Sequence, residues 1–321
     1  MISKNTNHAK KMQRAREISF SNEYKGANEI ERTAFLLMSY KGGVGKTTLC
    51  MTLIEYLRFH LKINVLAIDA DSENYSLSQR YALKGRDGDF LENLDQLDEG
   101  VVQVPECTKE GFKTILQALR AQDARHAVID FGGGDVSTFQ SLFATDDSLE
   151  RQFKKYGFRL VVIIPFDNQP NQMDSVGTVI GALGDWAQYV IIQNPKMSGN
   201  NAQLDEHFKS VCKSYASNII ALTGSHLDSA CQECLSKHTT KKFNEIPEVA
   251  EIDDVSGHGD PTASDYMYAY LVDQKIMWAS LFKFLEGKSV AVPLPHHEEG
   301  VIESKSMDHL QVSNVKKKDS K

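Results

Sequence analysis

Between Ser39 and Thr48 the chain reads Ser-Tyr-Lys-Gly-Gly-Val-Gly-Lys-Thr-Thr, residue types that suit one task, the holding of a phosphate chain. Gly42, Gly43 and Gly45 have no Cβ, so the N–H groups of the loop, Val44 included, can turn inward on an anion that bulkier residues would hold away. Lys46 can reach β- and γ-phosphates, Thr47 can place its hydroxyl on Mg²⁺, and a helix opening at Thr48 points its positive end at the same charge. The ordinary spacing G-x-x-x-x-G-K-[ST] is broken, because Tyr40 stands where its first glycine belongs and a second lysine, Lys41, precedes the glycine pair. The competing reading is a glycine-rich turn without a ligand. Its weakness is that an apolar run, the loop and a helical pattern follow one another in the order a phosphate loop requires.

Phosphate chemistry with a divalent cation also needs oxygen ligands and a group that orients water, both at the carboxyl ends of neighbouring strands. Two such places exist. Asp69-Ala70-Asp71 follows the apolar Val65–Ile68, and Asp130 closes Ala127-Val128-Ile129. For Asp69 and Asp71 the plainer alternative is a strand end or a helix cap. Phe131-Gly132-Gly133-Gly134-Asp135 follows Asp130; its glycines let the backbone approach a γ-phosphate but cost entropy to order. This loop is expected to be mobile until nucleotide arrives.

The elements that position these residues alternate regularly. Continuously apolar strands are expected at Ala34–Met38, Asn64–Asp69, Val101–Val104, His126–Asp130, Phe158–Ile164, Tyr189–Gln193 and Asn218–Leu222. Helical patterns cover Thr48–His60, Glu110–Ala121, Gln172–Ala187, Ala202–Tyr215 and Ser264–Leu285. In the last of these, Tyr268, Leu271, Val272, Trp278, Leu281, Phe282 and Leu285 largely follow an i, i+3, i+4, i+7 stripe. Apolar strands alternating with helices predict an α/β, doubly wound, mostly parallel sheet with helices on both faces. The ordered domain is expected over 33–285, between a basic arm (1–32, with Lys4, Lys10, Lys11, Arg14 and Arg16) and an aperiodic tail (286–321).

Lys-Gly-Gly-Val-Gly-Lys-Thr-Thr resembles the deviant Walker A motif of the ParA/MinD family of P-loop ATPases. The resemblance implies ATP and Mg²⁺ as cofactors and ATP hydrolysis as the activity. It also implies a homodimer closed over ATP, in which Lys41 reaches the partner's nucleotide. Asp69 then lies near the metal with Thr47, Asp71 positions the attacking water, and Asp130 holds Mg²⁺ through water. Ser72-Glu73 replaces the Pro-Gln that the family often has after this element, and three glycines replace its Pro-containing second switch. Asn194, after Val190–Gln193, falls where relatives contact the base; a turn residue before Pro195 explains it nearly as well.

The net charge is −7, so contact with DNA would depend on a local patch rather than on the overall field. Candidate patches are Lys237, Lys241 and Lys242, and Arg151, Lys154 and Lys155, though a solvated face is the usual explanation for such groups. Five cysteines without framework spacing argue for free thiols and a cytoplasmic setting, and no apolar run approaches membrane-spanning length. The leading expectation is a ParA-like ATPase whose dimer binds DNA non-specifically and is triggered by an activating partner protein, in plasmid partition, cargo positioning or a conjugation accessory role. A MinD-like membrane-positioning ATPase would need a terminal amphipathic helix, which the tail does not show. An iron–sulfur carrier would rest on Cys231 and Cys234, and a nucleotide-gated adaptor with little turnover is a further alternative. His296-His297 is a weaker metal candidate still.

Overall fold

The computed structural model describes residues 32–133, 135, 138, 148–166, 171–193, 219–225, 227–256, 259 and 262–286. The Ala202–Tyr215 helix, Asn194, residues 1–31 of the basic arm, His296-His297 and most of the tail lie outside the described residues, whereas Arg32 opens the first strand. Seven strands form one sheet in the order β3-β2-β4-β1-β5-β6-β7. They are β1 (Arg32–Leu37), β2 (Val65–Ala70), β3 (Val101–Gln103), β4 (His126–Phe131), β5 (Phe158–Phe166), β6 (Gln188–Gln193) and β7 (Ile219–Thr223). Every pairing is parallel, as continuously apolar strands require.

The pleat sends alternate side chains to opposite faces, and each face is covered. Phe35 and Leu37 join one core with α1 (Lys46–Glu55), α6 (Ser229–Lys237), α7 (Ile246–Val255) and α8 (Ala263–Leu285). Leu36 and Met38 join the other with α3 (Lys109–Ala121), α4 (Ser148–Lys155) and α5 (Asn171–Leu183). Each fully buried aliphatic side chain contributes on the order of 1.5–3 kcal/mol. The short α2 (Ser76–Tyr81) follows β2. At the amino end of β1, Arg32 donates to the carbonyls of Ala124 (2.9 Å), Gln122 (2.7 Å) and Tyr156 (3.1 Å) and lies over the Phe158 ring.

The first helix starts at Lys46, two residues earlier than its apolar spacing suggests, and gives way to a π-helical turn over Tyr56–His60. It buries Lys46 and every residue from Leu49 to Glu55, so it is a core helix without a wet stripe along that stretch.

The final helix forms where expected, but two members of the expected stripe face outward: Tyr268 and Val272 are more than half exposed. Met267, Tyr270, Gln274 and Met277 are buried with Trp278 and Leu281. The helix carries apolar residues around much of its circumference, so spacing alone does not select the buried side. Trp278 does, because its Nε1 donates to Thr52 Oγ1 of α1 at 3.1 Å while Thr52 Oγ1 also bonds Gln274 Oε1 at 3.4 Å. That docking holds α8 against the helix that begins at the glycine loop. No helix among the described residues is long and apolar enough to cross a membrane.

Candidate functional site

The parallel register brings three sequence-distant segments together at the carboxyl end of the sheet. Leu37 of β1 pairs with Asp130 of β4, and Asp130 pairs with Asp69 of β2. The glycine loop therefore leaves β1 directly beside Asp130, with Asp69 one strand further along. Gly43 (φ +74°) and Gly45 (φ +93°) take left-handed backbone conformations, which a side chain would strain. The turn is fixed further by Ser39, whose Oγ accepts from Lys41 N at 3.2 Å. Lys41, Gly42 and Gly43 are exposed, Val44 is buried, and Thr47 and Thr48 are partly buried.

Lys46 is buried, and its Nζ donates to the Lys41 carbonyl at 3.4 Å. Burial pushes its pKa down, against an upward pull from Asp130, Asp71 and Asp135. Asp130 is fully buried, and neither carboxylate oxygen has a hydrogen-bond partner of ordinary geometry. Burial first, and the facing Asp69 second, raise its pKa to about 8, with Thr47 and Lys46 pulling the other way. A buried carboxylate with open lone pairs, set against a lysine and a threonine hydroxyl, is a donor set that fits a hard divalent cation.

Asp69 differs. Its Oδ2 accepts from the Ser78 N–H and the Ser78 hydroxyl, both at 2.8 Å, and its Oδ1 from the Asp71 N–H at 3.2 Å. Burial still raises its pKa to about 6. Asp69 thus satisfies donors in the first turn of α2 and fixes the turn carrying Asp71. Asp71 is buried; its Oδ1 accepts from Glu73 N at 3.3 Å, and Asn74 Nδ2 donates to its Oδ2 at 3.3 Å.

Asp135, assigned no role from sequence, completes the cluster. Its Oδ2 accepts from Gly132 N at 2.8 Å, and it lies near enough to Asp71 and Lys46 to affect and be affected by their charge. The signal was its position at the end of the glycine run. Gly133 packs on the phosphate loop: a Cβ there would meet Gly42 N at 2.9 Å and Gly42 Cα at 3.1 Å. The unusual glycines after Asp130 therefore allow two loop backbones to touch.

On the other side of the loop a cleft of about 420 Å³ opens between Thr47, Thr48, Gly224 and Ser225 at the end of β7, and the α6 face carrying Gln232, Leu235 and Ser236. That volume suits a small organic ligand. A model of the CobQ/CobB/MinD/ParA nucleotide-binding domain matches residues 35–221, over half of the 321-residue chain. The chain belongs to this family. No curated protein sequence matches it.

Among solved structures, this CobQ/CobB/MinD/ParA-type domain is similar to three further proteins. A ParA family ATPase from Chlorobium tepidum TLS is 14% identical, with TM-score 0.45, over 75% of this chain and 98% of that one. The MinC:MinD cell division complex of Aquifex aeolicus gives 16%, 0.45, 82% and 100%. The septum site-determining protein MinD with Mg-ADP from Pyrococcus horikoshii OT3 gives 15%, 0.43, 78% and 98%.

The remaining sequence candidates separate. Cys231 and Cys234 are both buried, and the Cys231 Sγ is turned to the Ala263 carbonyl at 3.7 Å. A cluster bridging two subunits needs its thiols at the surface, so this burial speaks against the iron–sulfur reading. The two basic groups fall on opposite faces of the sheet, since α4 packs into one core and α6 into the other. They do not form one patch within a single chain.

Proposed function

We propose that this chain is a Mg²⁺-dependent ATPase switch of the ParA type, and that its nucleotide state controls dimerisation and cargo or DNA positioning. The observation that carries the reading is Asp130: a buried carboxylate, near Lys46 and Thr47, neither of whose oxygens has a hydrogen-bond partner of ordinary geometry among the described residues. A purely structural carboxylate at that depth would be bonded, as Asp69 is. Thr47 and Asp130 would hold Mg²⁺, with Asp69 behind them fixing the turn. When bound, Mg²⁺ neutralises charge developing on the β- and γ-phosphates.

The residues divide the remaining work. The N–H groups from Gly42 to Thr48 receive the phosphates, Lys46 exchanges its single carbonyl acceptor for phosphate oxygens, and the cleft beside Gly224 and Ser225 receives the nucleoside. Asn194 is proposed to reach the base from the end of β6. Asp71, held by Asn74 at the loop's edge, orients the attacking water. The exposed Lys41 is placed to serve a second copy's nucleotide. Of the two basic groups, each on its own face, either would become a larger surface only on pairing of chains, which makes DNA affinity depend on ATP.

Two measurements test this. ATPase and DNA-retention assays at low salt should show turnover and ATP-dependent DNA binding for the wild type. Asp71→Ala should lower turnover at least about 10²-fold, as loss of a water-positioning group does, while the ATP-bound dimer and its DNA contact persist. If neither protein retains DNA with ATP, the partition reading falls although the ATPase reading stands.

Gly133→Ala is expected to reduce turnover at least about 10-fold, because the added Cβ displaces the phosphate loop by a fraction of an ångström. Wild-type turnover in that variant would show that the contact of the two loops is not needed.

A further inference from the structure

Behind the cleft, on the side of α6 that faces away from it, Cys234 and His238 stand four residues apart and therefore above one another. Asp253 of α7 meets them there. One ligand atom from each of the three lies within 4.8 Å of the others, and His238 bonds Asp253 Oδ2 through Nε2 at 2.7 Å. The geometry points to a binding site for a zinc-class divalent cation formed by Cys234, His238 and Asp253, clamping α6 to α7.

The chemistry selects the metal class. A thiolate, an imidazole and a carboxylate suit Zn²⁺ and its near neighbours, whereas Mg²⁺ prefers oxygen ligands alone. Tetrahedral bonds of about 2.0–2.3 Å place ligand atoms roughly 3.3–3.6 Å apart. Closing the set from its present spread, with a small opening of the His–Asp pair, needs side-chain rotation and not movement of helices. Three protein ligands leave a fourth position for water, and His238 and Asp253 are each about 25% exposed, so water can reach it. Binding replaces the Cys234 S–H bond with an S–metal bond and releases the proton to solvent.

The frame is held before any metal arrives. Arg80 donates to the carbonyls of Leu235 and His238, both at 2.7 Å, and to that of Lys241, which fixes the end of α6 where His238 sits. A His–Asp bond alone would be an ordinary tie between helices. The addition of a thiol one turn back, beneath that pair, makes the set a ligand set. Cys231 belongs elsewhere, since it faces Ala263. The opposite face of α6, with Gln232, Leu235, Ser236 and Thr239, lines the cleft, so the cation would stiffen the helix that forms one wall of it.

The test uses the full chain, stripped with chelator and titrated with Co²⁺ and Zn²⁺. One Co²⁺ per chain should bind with a thiolate-to-cobalt charge-transfer band. That band should vanish in Cys234→Ser and persist in Cys231→Ser and Asp130→Asn. Zn²⁺ should raise the melting temperature of the wild type, and competition with a chromophoric chelator should show affinity at least about 10-fold weaker in Asp253→Asn. Asp253→Asn can keep a hydrogen bond to His238, so its metal-free melting temperature reports whether it folds. A band that survives Cys234→Ser, the absence of any band, or equal Zn²⁺ affinity in the wild type and a folded Asp253→Asn would each overturn the site.

Discussion

Lys46→Ala is expected to weaken Mg–ATP binding roughly 10- to 100-fold, the equivalent of about 1.5–3 kcal/mol for a charge-assisted hydrogen bond. Its Nζ donates to the Lys41 carbonyl at 3.4 Å, a long bond that a phosphate oxygen can readily replace. Burial has already removed much of its hydration, so the ammonium loses little further solvation when phosphate arrives. The surrounding Asp71, Asp130 and Asp135 keep it charged. With the cation gone, Asp130 also loses a group that lowers its pKa, so it becomes harder to ionise. A titration with fluorescent ATP, with and without Mg²⁺, measures both effects. Wild-type affinity in Lys46→Ala would remove the loop from the proposed mechanism.

The second large effect separates stability from function at one residue. Asp130→Asn should abolish Mg²⁺-dependent stabilisation by ATP, yet raise the melting temperature of the metal-free protein above pH 8. The folded pKa of Asp130 is about 8, against about 3.9 for an unfolded chain. The folded state therefore holds this proton more tightly, and the stability that it contributes is present at low pH and is lost as pH rises from about 4 to about 8. Asparagine carries no charge to bury. Its advantage over the wild type should be small near pH 5, grow with pH and level off above about 8. Each kcal/mol corresponds to about 2–4 °C for a domain of this size. Melting curves in chelator from about pH 5 to pH 9 check the sign. An asparagine variant less stable than the wild type throughout would mean that Asp130 has partners which this arrangement lacks.

The glycine loop was legible because it is local. A run of glycines, a lysine and two threonines between an apolar strand and a helix is a short-range pattern, and short-range patterns survive in sequence. The seven parallel strands were legible for a related reason, since strands buried on both faces read as unbroken apolar runs. The same all-round apolarity hid which side of α8 is buried, and only docking of Trp278 onto Thr52 decided it.

What tertiary structure alone decided concerns pairs of residues far apart in the chain. The sequence offered Asp69 and Asp130 as equivalent strand-end carboxylates. Folding gave Asp69 to Ser78 and left Asp130 open, because a hydrogen-bond partner depends on what the next loop brings near. Asp135 joined the cluster through Gly132. Cys231 and Cys234 looked like a pair by spacing, yet a helix turns them to different neighbours and joins Cys234 with His238 and Asp253. Sequence determined the glycine loop and the sheet that carries it; the fold determined which carboxylate is tied up in hydrogen bonds and which is not.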